Sequence, residues 1–199
     1  MRRIVLFGGT FDPPHVGHLL MAQLAFEQYS CDAVWVMPSP TPPHKANQSV
    51  SPYETRREMT RELLKGAEGL VLCDVEAERH EPSYTVDTVR ILQEAYPDIE
   101  FQFLIGSDSL RDLPSWHGCD ELSTRITFLV AARSEAPFTE TYAQIKAVLP
   151  HLVALPLQMP MLDVSSSFIR QRLDEGKPVC GLVPDNVLAI WQKHVDAAQ

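Results

Sequence analysis

The chain has 199 residues, 45% of them hydrophobic and 22% charged, with a formal net charge of −9. Those values suit a globular protein with a sizeable core and argue against a general nucleic-acid binder, because an acidic surface repels the phosphate backbone. No apolar run reaches the roughly 18 residues of a membrane span, the short run after Arg2-Arg3 does not make a secretory signal, and the separated Cys31, Cys73, Cys119 and Cys180 read as reduced thiols of a cytoplasmic protein.

Ile4-Val5-Leu6-Phe7, closed by Gly8-Gly9, has the continuous apolarity of a strand buried on both faces. Val16, Leu20 and Leu24 recur at helical spacing and predict a helix over 16–29. A second apolar run at 33–37 completes a strand–helix–strand unit. Pro38, Pro40, Pro42 and Pro43 keep the next stretch out of a helix and predict a long exposed loop ending near Pro52. Ser51 then caps a helix over 52–65. Further along, the pattern predicts a strand at 70–74, a helix over 85–96 and strands at 101–105 and 126–131. A helix over 142–149, a strand at 152–155 and two closing helices over 165–175 and 186–195 follow. The alternation predicts an α/β fold, a Rossmann-like, doubly wound and mostly parallel sheet, in one domain over 1–199 whose C-terminal helical part begins near 165. Ligands of such sheets lie at the carboxyl ends of strands, so the chemistry is expected just after Phe7, Met37, Ile105 and Ala131.

The string Gly8-Gly9-Thr10-Phe11-Asp12-Pro13-Pro14-His15-Val16-Gly17-His18 carries the most information. Its glycines let a ligand approach the backbone closely, and its prolines stiffen the turn. His15 and His18 stand three apart at a helix start, so they can share a face, with Gly17 leaving room between them. Unpaired N–H groups and partial positive charge at a helix N-terminus suit phosphate oxygens. The string is neither a G-x-G-x-x-G fingerprint nor a P-loop. A tight turn with incidental histidines, or a metal pair, is the alternative, although no further metal ligands are evident and no protein-held metal is expected.

H-x-G-H after G-G-T-F-D-P resembles the nucleotidyltransferase superfamily of adenylyl- and cytidylyltransferases. The resemblance implies that His15 and His18 contact the triphosphate and stabilise the charge that develops during transfer. Val164-Ser165-Ser166-Ser167-Phe168-Ile169-Arg170 taken alone is a capped helix with an exposed arginine. Beside H-x-G-H it resembles the family's I-S-S-T-x-I-R string, with Val164 for Ile and Ser167 for Thr. By that resemblance Ser166, Ser167 and Arg170 bind the triphosphate from the opposite side, Arg170 by charge-assisted hydrogen bonds.

The remaining motifs are Pro43-His44-Lys45, Ser83-Tyr84-Thr85-Val86-Asp87-Thr88, Gly106-Ser107-Asp108 followed by Leu113 and Trp116, and Arg133. Together they resemble the bacterial nicotinate mononucleotide adenylyltransferases over nearly the whole chain. The resemblance implies transfer of AMP from ATP to nicotinate mononucleotide, with Mg²⁺ bound through the ATP phosphates. ATP would meet Gly8, Gly9, Thr10, Phe11, Gly106, Asp108, Ser166, Ser167 and Arg170. The acceptor would meet His44, Lys45, Thr85, Trp116, His117 and Arg133, with Lys45 also assisting catalysis. His117 stands where the family commonly has Tyr. Each residue also has a plain reading: a solvated lysine, an N-cap threonine, a core tryptophan or a surface arginine. A different phosphate acceptor or a nucleotide sensor without turnover are the rival functions. The partners implied are small molecules, without nucleic acid or membrane, and a homodimer is left open.

Overall fold

The computed structural model describes residues 1–41, 50–77, 83–131, 138–160 and 162–197. Strands β1 (Arg2–Gly9), β2 (Ala33–Pro38), β3 (Leu70–Leu72), β4 (Ile99–Gly106), β5 (Thr127–Ala131) and β6 (Val153–Leu157) form one sheet in the order β3-β2-β1-β4-β5-β6. Every adjacent pair is parallel, with Ile4 opposite Ala33 on one side and Phe101 on the other. The expected α/β sheet is therefore present. The chain winds outward from β1 to β3, then returns to β4 on the far side of β1. Connections leave the ends of β1 and β4 in opposite directions, and the crevice between them is the place where such sheets bind ligands.

The strands form here because their side chains are apolar on both faces. Ile4, Leu6, Phe101, Phe103 and Phe128 enter one cluster, while Val5, Phe7, Leu104 and Leu129 enter the other, as the two-residue period requires. Helices α3 (Thr85–Ala95), α4 (Ser107–Asp112), α5 (Cys119–Arg125) and α6 (Phe138–Val148) cover the first face through Val86, Leu110, Leu122 and Ile145. Helix α1 (Val16–Gln28) lies on the second, where Ala22 and Ala25 let it sit close to the sheet. A third cluster joins Met59 and Leu63 of α2 (Tyr53–Leu63) to Ile169 of α7 (Ser166–Asp174) and Val187 of α8 (Asp185–Ala197). Ser165 starts α7 by accepting the Phe168 N–H at 3.1 Å. Among the described residues no helix is long and apolar enough to cross a membrane.

Several elements differ from expectation for local reasons. Ser51 is not the cap of α2, whose N-cap is Pro52. Instead its N–H donates to Asp12 Oδ2 at 3.2 Å and its carbonyl accepts from Arg56 Nε at 2.9 Å, so it joins two loops. Strand β3 stops at Leu72, and Asp74 turns to the Arg57 guanidinium at 2.8 Å, which holds its carboxyl below the usual range. Helix α6 begins at Phe138, before the expected 142, because the Phe138 and Tyr142 rings stack one turn apart at 5.4 Å. Between β4 and β5 the sequence predicted no element. The chain there builds α4, a 3₁₀ turn at Leu113–Ser115 and α5, each too short for an apolar period to register. Strand β6 carries Pro156, which an edge strand accepts.

Helices α3 and α5 are bolted together by Glu121, which takes Arg90 and Arg125 on its two oxygens. These guanidiniums, Arg90 foremost, hold the Glu121 carboxyl down to about 2. A carboxylate whose folded pKa lies below its unfolded value of about 4.3 adds stability above that value and loses it as pH falls through the folded one. Wild type should therefore melt above Glu121→Gln near pH 7, and the gap should close between about pH 4.5 and 2. A gap unchanged across that window would contradict the assignment.

Candidate functional site

A cavity of about 700 Å³ opens where β1 and β4 part, within the range of small-molecule pockets, about 300–1,000 Å³. Gly8 and Gly9 form one wall, Ile105 and Gly106 another, and Tyr84 and Thr85 at the start of α3 a third. Three of the four expected strand exits thus border it, at Phe7, at Ser39 after β2, and at Ile105. The residues after Ala131 lie outside those described.

The β1–α1 loop is built to present His18. Phe11, 2% exposed, stands edge-on to Phe7 at 5.4 Å and to His18 at 4.9 Å, so its ring supports the imidazole from beneath. Gly9 makes that possible, since a Cβ there would lie 2.9 Å from the Phe11 ring. The His15 backbone N–H donates to His18 Nδ1 at 3.2 Å. With Nδ1 accepting, the ring proton of neutral His18 sits on Nε2, which becomes a donor. His15 is 1% exposed and packs its ring on that of His18 at 3.7 Å. Gly17 does leave the room expected of it, because a Cβ would meet the His15 ring at 3.0 Å. The two histidines therefore share a face, but only His18 is part of the cavity wall.

The C-terminal string reaches the same loop. Ser166 Oγ donates to the Pro13 carbonyl at 2.9 Å, Arg170 Nη1 donates to the Asp12 carbonyl at 2.6 Å, and its Nη2 reaches Ser167 Oγ at 3.3 Å. The two anchors are thus brought together across the fold. Like His15, the residues Ser166, Ser167 and Arg170 stand off the cavity wall, with Arg170 turned to loop backbone.

On the other side, Thr85 is the first residue of α3 and lines the cavity. Trp116 also lines it and is half-buried, edge-on to Phe103 at 6.4 Å, so it serves core and cavity together. His117 lies over the Tyr84 ring at 4.3 Å, tilted by 32°. Asp108 is an exposed carboxylate of the wall, 3.5 Å from Arg111 Nη1. Among the described residues, a Cβ on Gly106 would meet no atom within 4 Å. Thr10 is also on the wall. His44, Lys45 and Arg133 lie outside the described residues.

Three residues escaped the sequence reading, and a fourth, Ser83, stood in a motif without a role of its own. Ser39 and Ser83 line the cavity, and among the described residues their buried hydroxyls have no hydrogen-bond partner, which leaves them for a ligand or water. Ser39 follows the end of β2, so the strand-exit rule could have found it. Glu76 is a buried wall carboxylate that accepts from Thr88 Oγ1 at 2.5 Å. Arg56, 1% exposed, is held beneath the loops. Burial pushes its guanidinium pKa down, opposed by the Asp12 carboxylate. Neither residue has a local sequence signal. Among the described residues no group of three or more His, Cys, Asp or Glu side chains gathers to hold a metal.

Residues 6–172 match the model of the cytidylyltransferase-like family. A relative from Halalkalibacterium halodurans named "Probable nicotinate-nucleotide adenylyltransferase" is 42% identical over 188 residues, covering 94% of this chain and 87% of the relative. The Bacillus subtilis nicotinate-nucleotide adenylyltransferase is 39% identical over 191 residues and 94% of each chain. In fold, the chain is similar to the Plasmodium falciparum nicotinic acid mononucleotide adenylyltransferase complexed with NaAD, with a TM-score of 0.83, 20% identity, and coverage of 98% of this chain and 96% of that one.

Proposed function

From the premise that this chain belongs to the cytidylyltransferase-like family and, within it, to the nicotinate-nucleotide adenylyltransferases, we propose that the cavity between β1 and β4 is where AMP passes from ATP to nicotinate mononucleotide. The products are nicotinate adenine dinucleotide and pyrophosphate. One observation supports this placement above others: a loop that presents an imidazole donor opens onto the sheet's switch point and is braced by the serine–arginine string from the other end of the chain.

In this reading a 5′-phosphate oxygen of the mononucleotide attacks the α-phosphorus of ATP. A new P–O bond forms, the bond to the β-phosphate bridge breaks, and pyrophosphate leaves. The attacking oxygen is already anionic, so no general base is required. Catalysis comes from in-line positioning and neutralisation of charge. His18 offers its Nε2–H to the phosphates, and His15 holds that ring in place. Gly8, Gly9, Thr10 and Phe11 line the triphosphate, Ser166, Ser167 and Arg170 serve its outer phosphates from behind the loop they brace, and Lys45, an acceptor-binding residue, shares in neutralising charge. Gly106 and Asp108 face the adenosine side. Thr85, Trp116 and His117 receive the pyridine carboxylate and ring, while His44 and Arg133 serve the acceptor phosphate. Mg²⁺, when bound, supplies further charge neutralisation on the triphosphate oxygens. An exposed wall carboxylate such as Asp108 fits an ion that keeps much of its water. A cytoplasmic location and action as one unit over 1–199 go with this reading, and a homodimer is the assembly it allows.

Pyrophosphate release measured with a panel of acceptors tests the choice. With ATP, nicotinate mononucleotide should give the highest kcat/KM, ahead of nicotinamide mononucleotide and pantetheine phosphate. Stronger turnover with pantetheine phosphate, or with CTP and glycerol phosphate, would overturn it.

A further inference from the structure

Arg56 projects from the first turn of α2 into the protein, 1% exposed, and all of its nitrogens are committed to backbone carbonyls. Nη1 donates to Thr10 at 2.8 Å, Nη2 to Pro40 at 3.2 Å and Nε to Ser51 at 2.9 Å. Thr10 belongs to the loop after β1, and Pro40 follows β2. These are the two strand exits that border one side of the cavity, so a single side chain ties them together.

The residue after Thr10 shows what that tie holds. Phe11 has φ 51, a left-handed conformation that a bulky side chain adopts only when its surroundings impose it. Two arginines grip the backbone on either side of it. Arg56 takes the Thr10 carbonyl, and Arg170 takes the Asp12 carbonyl. In a trans peptide the C=O and the following N–H point in opposite directions. Fixing the Thr10 carbonyl on Arg56 therefore turns the Phe11 N–H away from α2, toward the cavity that Thr10 and Phe11 line. A buried guanidinium is a weak source of stability compared with well-packed apolar atoms, which leaves orientation as the work this fork performs.

We propose that Arg56 is a positioning residue for the transfer reaction: it holds the Thr10–Phe11 peptide so that the Phe11 N–H is aimed at the phosphates of the bound nucleotide. The role rests on the functional reading above. Arg56 touches no substrate. It acts through the peptide it grips, and the planar fork that spans three carbonyls is what the ammonium of lysine cannot reproduce.

The test compares wild type, Arg56→Lys and Arg56→Met, each checked for cooperative unfolding and assayed well below its melting temperature. Displacing a positioned group by about 1 Å costs on the order of 10²-fold. Both variants should therefore lose about 10² in kcat, while calorimetric affinity for ATP with Mg²⁺ stays within about threefold of wild type. A residue that merely held the fold together would lower melting temperature and affinity without singling out kcat. Wild-type kcat in either folded variant would overturn the proposal, as would failure of both variants to fold. If Arg56→Met alone fails to fold, Arg56→Lys decides. A wild-type protein that makes no dinucleotide would instead sink the functional reading itself, so the two failures are distinguishable.

Discussion

Replacing His18 with alanine should lower turnover by about 10²–10³, the usual effect of removing one donor aimed at developing charge, while the protein stays folded. The effect is large because the donor is already organised. His15 gives its N–H to Nδ1, Phe11 supports the ring edge-on, and His15 packs on the ring face. The Nε2 proton therefore needs no reorganisation when charge builds on the phosphates. Alanine removes both the donor and the acceptor for the His15 N–H, so some stability should go too, on the order of 1 kcal/mol for a lost helix-start contact. His18→Asn separates the two roles, because its side-chain oxygen can take the His15 N–H. Melting temperature should return toward wild type and turnover should not. Near-normal turnover in the alanine variant would remove His18 from the reaction.

Gly106→Val should leave stability almost unchanged and reduce kcat/KM for ATP by at least about 10². The backbone gives no reason for glycine here, since φ −79 and ψ 164 are open to any residue. Packing gives none either, because among the described residues a Cβ would touch nothing within 4 Å. Gly9 and Gly17 differ, as each would drive a Cβ against a ring of the chain itself. The space beside Gly106 is the cavity, so added methyl groups would occupy volume that substrate needs. Melting curves that overlay wild type, with kinetics that do not, are the expected pair of results. Normal kinetics would move the nucleotide elsewhere.

The sheet was legible because strands buried on both faces leave continuous apolar runs. Val5 and Phe7 serve one cluster while Ile4 and Leu6 serve the other, and the sequence records both. The first loop was legible because its chemistry is local: glycines, prolines and two histidines within eleven residues. What the sequence concealed is long-range. Nothing near Ser166 says that it meets Pro13, 153 positions away. Arg56 looks like any helix arginine until two loops close over it with three carbonyls. Glu76 reads as a surface acid, yet it is buried against Thr88. The helices between β4 and β5 were missed because six or seven residues are too few to display a period.

One displacement at the α-phosphorus, by an anion seated in the same cavity, is what the whole account requires. Following the configuration of ATP made chiral at that phosphorus, as its AMP is transferred to nicotinate mononucleotide, tests it most directly. Inversion in the dinucleotide is the predicted result. Retention would mean that AMP first rests on a side chain of the protein, and it would contradict the account.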